Sequence, residues 1–373
     1  MPRSVLSVFD VTPRRIGGVE VFARELSHQL GGHGWESILA FDSPPPEVVR
    51  SYLQLPNVTL DSLDFRTRPA RDFSALLRKH RPEIVHLYFT GFISPYPWIA
   101  SLHGARQVLF TDQGSHPPGY VPHRAPAWKR AAARIINRPL DRVICISDYN
   151  ARCMVARGLT QAARVVRIHN AVDMEQPCGD GAGFRRKFGI PADRAVVLQV
   201  SSIIPEKGIP DLLDAAGIVV ARHPSAHFVF VGDGAYQRDY AGEAEKRGLS
   251  GHITWTGLIG NPAGDGVYAG ADVVCLASRW QEAFGWVLAE AMACRRAIVA
   301  TSAGAIPEVV TGGVTGYLVP VGKAAELADK ILVLLADPAL RDRMGAAARQ
   351  DAEKRFDVRR NVAELIGLYS LST

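Results

Sequence analysis

Short apolar blocks alternate along the chain with stretches whose apolar residues recur every three or four positions. Blocks that are apolar on both faces predict buried strands of a parallel sheet. The predicted strands are residues 5–9, 38–41, 84–88, 107–110, 142–146, 196–200, 228–231, 253–255, 273–276 and 297–300. Between the first two, Val19, Phe22, Leu26 and Leu30 share one face of a predicted helix. This alternation predicts an α/β fold built from doubly wound parallel sheets.

The series of strands and helices is interrupted once. Residues 174–190 contain one proline and four glycines, a composition typical of a linker. The 373 residues are also too many for a single hydrophobic core. We therefore predict two tandem Rossmann-like domains, at 1–173 and 191–355. Ligands of such sheets bind outside the carboxyl ends of the strands, so we expect a cleft between the two domains.

Charge is spread unevenly along the chain. Residues 1–173 carry 22 Lys and Arg against 14 Asp and Glu, whereas the rest of the chain carries 21 against 23. The basic half predicts an anionic partner. Within it, Arg130, Arg134 and Arg138 recur every four residues and are predicted to share a helix face. The pattern favours either a solvated helix or a patch for anionic lipid or a phosphorylated acceptor. Nucleic acid is not expected, because interleaved aromatic residues are missing.

The lengths of the apolar runs and the spacing of the cysteines indicate where the protein is located and whether its cysteines pair. No run approaches the ~18 residues that span a bilayer, and the N-terminal run is too short for the core of a signal peptide. We expect a cytoplasmic protein, peripheral at the inner membrane face if the basic patch binds lipid. The five cysteines are scattered without a CxxC pair, so we expect buried thiols, no structural disulfide and no zinc site.

The segment from Glu282 to Glu290 is the strongest candidate for chemistry. It follows the predicted strand 273–276, and a helix is expected to begin near Phe284 and to run to about Cys294. The first turn of a helix has unbonded N–H groups that suit phosphate oxygens. Glu290, roughly two turns inside, suits the hydroxyls of a ribose, and Glu282 suits those of a hexose. Taken alone, the segment also fits an amphipathic helix with one solvated glutamate.

The segment resembles the Glu-(seven residues)-Glu motif of the family-four retaining glycosyltransferases, which have the GT-B fold. Other motifs similar to that family follow in the same order: GGVE at 17–20, IHNAVD at 168–173, PEKG at 205–208, GAIPEVV at 304–310 and TGYLV at 315–319. The resemblance covers nearly the whole chain and is weakest at 43–83. It also implies that the final stretch, 356–373, forms a helix that crosses back onto the first domain.

The resemblance implies an acceptor site in the first domain and a nucleotide-sugar site in the second. Lys207 would bind the donor diphosphate, because a compact ammonium suits a phosphate that gains charge as the sugar bond breaks. Glu290 would hold the ribose and Glu282 a sugar hydroxyl. The other implied donor-binding residues are Phe284, Gly285 and Trp286 through their amides, Gly17 and Gly18 near the diphosphate, and Gly257 and Leu258 beside the base.

Two departures from the family pattern concern the site. Ser202 stands where the family often has an arginine, five residues before the lysine. Either one contact to the donor phosphate is lost, or another basic residue supplies it. The family usually has a cleft histidine after the strand at 107–110. Here Asp112 and Gln113 are the candidates for that position, with His116 three residues further on.

The function implied is a metal-independent, retaining transfer of a hexose-type sugar from a nucleoside-diphosphate sugar to an acceptor hydroxyl. The favoured donor is a UDP-sugar, and a GDP-sugar is the other donor considered. The acceptor is a glycan, a lipid-linked molecule or a natural product. No Asp-x-Asp metal motif occurs, and no cofactor is expected. Two alternatives stay open: a nucleotide-sugar epimerase or hydrolase on the same fold, and a nucleotide-sugar-binding protein without activity.

Overall fold

The structure, a computed structural model, describes residues 3–176 and 178–369. The chain divides into two compact units. The first comprises residues 3–114, 121–170 and 358–369, and the second comprises 115–120 and 171–357 apart from residue 177. Each unit contains one parallel sheet flanked by helices, which confirms the predicted α/β class with two tandem Rossmann-like domains.

Strands and helices alternate through both units. In chain order the strands are β1 Ser4–Phe9, β2 Glu36–Phe41, β3 Val58–Ser62, β4 Ile84–Tyr88, β5 Gln107–Asp112, β6 Arg142–Cys145, β7 Val165–Arg167, β8 Ala195–Val200, β9 Ala226–Val231, β10 Ile253–Gly257, β11 Val273–Leu276, β12 Ala297–Thr301 and β13 Gly316–Val319. The helices are α1 Gly18–Gly32, α2 Glu47–Leu53, α3 Pro69–His80, α4 Tyr96–Leu102, α5 Ala127–Ile136, α6 Asp148–Arg157, α7 Gly181–Lys187, α8 Ile209–Arg222, α9 Gln237–Lys246, α10 Trp286–Ala293, α11 Ile306–Val309, α12 Ala324–Ala336, α13 Pro338–Arg355 and α14 Val358–Ile366.

Each sheet reverses its direction of growth once. The first sheet has the order β3-β2-β1-β4-β5-β6-β7, and the second has the order β10-β9-β8-β11-β12-β13. The reversals fall between β1 and β4 and between β8 and β11. At such a point the connections leave toward opposite faces of the sheet, and the carboxyl ends of the two strands border the crevice where doubly wound sheets bind ligands.

Three strands were not predicted from the apolar pattern. β3 and β7 form the two edges of the first sheet, and β13 forms one edge of the second. Many of their residues are only partly buried. An edge strand has one neighbouring strand and less cover than a central one, so it needs no continuous apolar run. The sequence pattern therefore identified the sheet centres and missed these edges.

The segment predicted to be a linker, residues 174–190, contains α7 and belongs to the second unit. Arg185 of α7 forms an ion pair with Asp272 at 2.8 Å. A Cβ on Gly181 would lie only 2.4 Å from the backbone carbon of Ala269. The glycines therefore allow close backbone packing rather than flexibility. Composition alone does not separate these two uses of glycine.

The structure corrects the expectation that no cysteines pair. Cys178 and Cys294, separated by 116 residues, form a disulfide within the second unit. Cys145, Cys153 and Cys275 are buried free thiols, as expected. A pair so far apart in sequence has no local spacing signal, because only tertiary packing brings the two sulfurs together.

The end of the chain returns to the first unit. α14 buries Val358, Val362 and Leu365, and Gln107 donates to the Leu368 carbonyl at 2.9 Å. The helix proposed for 356–373 extends to residues 370–373, which lie outside the described residues. Among the helices at 3–176 and 178–369, none is both long enough and apolar enough to cross a membrane.

A buried histidine links this returning segment to the centre of the first sheet. His86 of β4 hydrogen-bonds to the Tyr369 hydroxyl through Nδ1 at 2.8 Å and to the Thr111 hydroxyl through Nε2 at 2.7 Å. The ring is fully buried, and this burial lowers the pKa of His86 to about 3. The neutral imidazole is therefore the form that the first unit accommodates.

Candidate functional site

Two loops leave the strands that flank the reversal in the second sheet. Lys207 ends a 3₁₀ turn in the loop after β8, and Glu282 lies in the loop after β11. The Lys207 ammonium donates to Glu282 Oε1 at 2.6 Å. Because β8 and β11 are neighbours, an ammonium and a carboxylate that are 75 residues apart meet at the carboxyl edge of the sheet. This is where a doubly wound sheet binds its ligand.

Glu282 is the more deeply buried partner of this ion pair. Its side chain is 8% exposed, whereas that of Lys207 is 25% exposed. The hydroxyl of Ser278, itself buried, donates to the same Oε1 at 2.6 Å. An ammonium has three N–H donors, so its bond to Glu282 leaves donors for a phosphate. The pair therefore presents a fixed cation to the crevice.

A buried glutamine connects the two loops. Gln199 of β8 donates to the Lys207 carbonyl at 2.9 Å and accepts from the Ala277 amide at 3.2 Å. A Cβ on Gly208 would lie 1.8 Å from the Ala277 carbonyl oxygen, so the turn packs directly on the end of β11. Sequence analysis did not single out Gln199. The available signal was one long polar residue inside an otherwise apolar strand.

The motif at 304–310 supports the backbone of Glu282. Gly304 has φ +59°, and a Cβ on it would lie 2.3 Å from the Glu282 carbonyl oxygen. Its amide donates to the Gln281 side chain, and the Ala305 amide donates to the Glu282 carbonyl, both at 2.8 Å. A backbone this close to Glu282 requires glycine at position 304. The resemblance had assigned the motif no role.

The helix after Glu282 begins later than predicted. Gly285 has φ +97°, and α10 starts at Trp286 rather than near Phe284. Glu290 therefore lies about one turn inside the helix, not two. The left-handed conformation of Gly285 delays the start of the helix, which the apolar periodicity does not reveal. Phe284 is buried, so its side chain anchors the segment that leads into α10.

A buried tyrosine holds Glu290. The hydroxyl of Tyr268 donates to Glu290 Oε2, and the Tyr268 ring is fully buried ahead of β11. A carboxylate has two oxygens, so the bond orients the group while Oε1 keeps its capacity to accept. The sequence offered no spacing signal for Tyr268, because it precedes Glu290 by 22 residues.

A short segment from the first half of the chain lies beside Glu282. Residues 115–120 group with the second unit. His116 and Gln281 exchange backbone hydrogen bonds at 3.0 and 2.9 Å, and the Ser115 hydroxyl accepts from the Ala283 amide at 3.1 Å. His116 is therefore adjacent in backbone to the Glu282 loop. Ser115 is a further residue that sequence analysis did not identify.

The remaining donor candidates of the second unit spread along the same carboxyl edge. Ser202 is exposed in the loop after β8, and its carbonyl accepts from Ile204 at 3.1 Å. Gly257 ends β10 with φ +72°, and Leu258 after it is exposed. β10 is the outer strand, two positions from β8. Gly257 and Leu258 thus share the sheet edge with Lys207 but are not bonded to it.

The glycine loop belongs to the first unit. Gly17 caps α1, and its amide donates to Glu20 Oε2 at 3.0 Å, while Gly18 is the buried first residue of the helix. The Gly17 amide thus has an acceptor in its own turn, in place of the diphosphate oxygen that the resemblance implies. The cause is the glutamate three residues on, whose side chain reaches back to the amide ahead of the helix, as the glutamate of a capping box does.

Asp112 ends β5 in the first unit, and Gln113 follows it. Burial raises the pKa of the Asp112 carboxyl, and its Oδ1 accepts from the Gly114 amide at 3.0 Å. Gln113 exchanges two side-chain hydrogen bonds with Asn170, at 3.1 and 2.9 Å. Both candidates are therefore bonded locally at the carboxyl edge of the first sheet.

Comparison with protein-family models matches both halves of the chain. Residues 16–176 match the model described as Glycosyltransferase Family 4, and residues 182–351 match Glycosyl transferases group 1. The chain belongs to the family-four glycosyltransferases, which have the GT-B fold. Lys207, Glu282 and Glu290 lie within the second match.

Known relatives agree with this assignment. The D-inositol 3-phosphate glycosyltransferase of Mycobacterium bovis (strain BCG / Pasteur 1173P2) is 28% identical over 370 residues, which cover 90% of this chain and 75% of that protein. The alpha-D-kanosaminyltransferase of Streptomyces kanamyceticus is 27% identical over 286 residues, covering 76% and 72%. The structure of Anabaena Alr3699/HepE in complex with UDP-glucose is similar with a TM-score of 0.77 and 19% identity, covering 98% and 100%. This last likeness supports the fold.

Proposed function

We propose that this protein is a retaining glycosyltransferase that moves a hexose-type sugar from a nucleoside-diphosphate sugar, UDP-sugar in preference to GDP-sugar, to an acceptor hydroxyl. The observation that carries the proposal is the contact between Lys207 and Glu282 beside the start of α10. It places a cation, a carboxylate and a helix N-terminus at one crevice, which suits a diphosphate linked to a sugar. The similar fold that binds UDP-glucose supports the choice of uridine.

The residues of the second unit divide the work. The bond between the anomeric carbon and the phosphate oxygen breaks, and the Lys207 ammonium stabilises the charge that develops on the leaving phosphate. Glu282 accepts a hydrogen bond from a sugar hydroxyl. Glu290, oriented by Tyr268, accepts from the ribose. The amides of residues 284–286 bind the sugar or the phosphate, and Gly257 and Leu258 flank the base.

Retention and independence from metal are part of the proposal. The acceptor attacks the oxocarbenium-like carbon from the face that the phosphate leaves, and the donor phosphate takes the acceptor proton. Lys207 and the first turn of α10 then supply the positive charge that a metal would otherwise provide. Positioning and charge stabilisation carry the rate, without a protein nucleophile.

The acceptor site is assigned to the first unit. Asp112 and Gln113, at the carboxyl end of β5, are the candidates for contact with the acceptor. The raised pKa of the Asp112 carboxyl suits a group that exchanges hydrogen bonds with a hydroxyl. A glycan, a lipid-linked molecule or a natural product remains the acceptor class. The similar D-inositol 3-phosphate glycosyltransferase supports an acceptor that bears hydroxyls.

The test begins with binding. UDP, GDP and ADP, and then their glucose conjugates, are screened for thermal stabilisation of the full chain. A nucleotide at about 100 times its Kd adds about 2.7 kcal/mol to the free energy of unfolding. Release of nucleoside diphosphate in the presence of sugar, glycan and lipid acceptors then measures transfer. Lys207→Ala should lower both signals, whereas the exposed Lys246→Ala in the same unit is the matched control.

The outcomes separate the candidate functions. Release of nucleoside diphosphate that depends on an acceptor and on Lys207 supports the transferase. Conversion of the donor without an acceptor points to an epimerase or hydrolase. Nucleotide binding without turnover for any acceptor points to a binding protein without activity. That alternative is suggested by Ser202, which stands where the family often has an arginine. No stabilisation by any nucleotide contradicts all three.

A further inference from the structure

Helix α5 turns its apolar side away from the first unit. Ala133 is the one residue of this helix that is buried. Trp128 is 72% exposed and Ile135 is 67% exposed. These two residues are seven positions apart, so they lie on the same face of the helix. A surface helix normally directs its apolar stripe to the core, as α3 of the same unit does with Phe73 and Leu77. The outward stripe of α5 is therefore an exception that the unit's own core does not explain.

Helix α4 enlarges this apolar face. The Trp98 indole donates to the Ile135 carbonyl at 3.0 Å, so α4 lies against the end of α5. Trp98 is 37% exposed, and Leu102, one helical turn further along α4, is 81% exposed. Trp98, Leu102, Trp128 and Ile135 are thus exposed apolar residues of two adjoining helices, here called the α4–α5 surface. Scattered exposed apolar residues are ordinary in proteins, but two tryptophans and two aliphatic side chains on adjoining helices are a patch.

Basic residues lie within α5 and next to it in sequence. Residues 113–140 contain no Asp or Glu, and their basic residues are Arg124, Lys129, Arg130, Arg134 and Arg138. Arg124, Arg134 and Arg138 are exposed, and within the described part of the chain they have no acidic partner. Arg130 is half-buried instead. α5 ends at Ile136, so Arg138 lies beyond it and the three-arginine face predicted from the sequence is not formed. The exposed charges are therefore one arginine within α5 and one on each side of it in sequence.

We propose that the α4–α5 surface docks the protein on an anionic lipid bilayer. A helix that lies in the membrane interface needs apolar side chains on one side and Lys or Arg beside them, and tryptophan favours the headgroup level. The absence of acids over residues 113–140 matches a negatively charged surface. α5 is about 15 Å long, which suits a helix that lies in the plane of the membrane interface. Binding to this surface is independent of the proposed transfer reaction.

Co-sedimentation of the full chain with vesicles tests the proposal. Phosphatidylcholine vesicles with and without phosphatidylglycerol are compared. We expect binding to the anionic vesicles that is at least about tenfold stronger than to the neutral ones, because each arginine near the surface adds attraction. Trp128→Ser with Ile135→Ser, and separately Arg134→Glu with Arg138→Glu, should each lower binding at least about tenfold. Val314→Ser with Val333→Ser changes exposed valines of the second unit and should leave binding unchanged.

The substituted side chains are exposed, so thermal unfolding should stay close to that of the unaltered chain, and unfolding midpoints are measured alongside. Equal binding to neutral and anionic vesicles, binding that survives both double substitutions, or no binding to either vesicle overturns the proposal. Sedimentation velocity adds one further outcome. A dimer that the Trp128→Ser, Ile135→Ser variant converts to a monomer would show that a second copy covers the surface, and this also overturns lipid docking.

Discussion

The candidate residues at the carboxyl edges of the two sheets differ in their hydrogen-bond partners. In the second unit, Lys207 and Ser278 both donate to Glu282, and Tyr268 orients Glu290. In the first unit, the candidates bond to their immediate surroundings: Gly17 to its own helix turn, Asp112 to Gly114, and Gln113 to Asn170. The candidate side chains of the second edge are thus held in place by one another before a ligand binds. Those of the first edge form hydrogen bonds with local partners instead.

Under the proposed function, the difference follows from the ligand that each edge would bind. A nucleoside diphosphate always offers the same phosphates and ribose, so one fixed set of a cation, a carboxylate and a helix start serves it. Acceptors differ in shape, and their contacts differ with them. The candidate residues of the second edge therefore lie in recognisable motifs, whereas at the first edge only the glycine loop at 17–20 does.

Acid should affect the first unit most. Burial lowers the pKa of His86 to about 3 from an ordinary value near 6.5, so the unfolded chain binds a proton that the folded unit rejects. Stability is complete above pH 6.5 and falls by about 1.4 kcal/mol per pH unit below it, or about 4 kcal/mol by pH 3.5. Hydrogen exchange of β4 amides, corrected for intrinsic rates, measures the loss.

His227 of the second unit supplies the comparison for this acid effect. Its pKa is lowered to about 4, mainly by burial, so its contribution to stability stops falling near pH 4 while that of His86 continues to pH 3. Equal protection of β4 amides at pH 7 and pH 3.5 would contradict the prediction.

Removing the charge of Glu282 should give the next largest effect. Glu282→Gln keeps the shape of the side chain but takes the counter-charge from Lys207, and we expect a fall in kcat/KM of about 10²-fold, the size typical for one preorganised electrostatic group. Asp112→Asn is the counterpart in the first unit and should cost less than about tenfold, because its amide oxygen still accepts from Gly114. Equal losses of kcat/KM in the two variants would contradict the idea that the second edge is the more preorganised of the two.

Gly304→Ala should destabilise the second unit. A Cβ there would overlap the Glu282 carbonyl oxygen, and φ is +59°. We expect a loss of about 2–3 kcal/mol in unfolding free energy together with loss of activity. Gly34→Ala in the first unit has φ +73° and open space around the new Cβ, so strain alone should cost about 1 kcal/mol. Urea unfolding compares the two variants; a Gly304→Ala protein as stable as Gly34→Ala would show that Glu282 does not need the close approach.

Tyr268→Phe should give the smallest effect. It removes one hydrogen bond to Glu290, worth about 1 kcal/mol, and should weaken nucleotide binding about fivefold. Calorimetry with the nucleoside diphosphate and its 2′-deoxy analogue measures the change. If Tyr268 positions Glu290 for the ribose, the variant loses preference for the ribose hydroxyl. An unaltered preference with weaker binding of both ligands would indicate a packing role only.

The candidate site was partly accessible from sequence because its parts are local motifs. Lys207 in its turn and Glu282 ahead of a helix were identified, and the structure places them in contact. Gln199 and Tyr268 were not identified, because they lie outside the motifs, 8 and 22 residues ahead of Lys207 and Glu290, the motif residues to which they bond. The roles of Gly17, Asp112 and Gln113 remain predictions.

The sequence by itself determined the alternation of strands and helices and the two-unit α/β class, because buried parallel strands require continuous apolar runs and helices require a 3.6-residue period. Only tertiary structure decided which strands flank the reversals, which cysteines pair, where α10 begins, and that α5 turns Trp128 and Ile135 outward. A periodic pattern shows that an apolar face exists, but whether that face meets the core or the solvent depends on neighbours that the chain brings from far away.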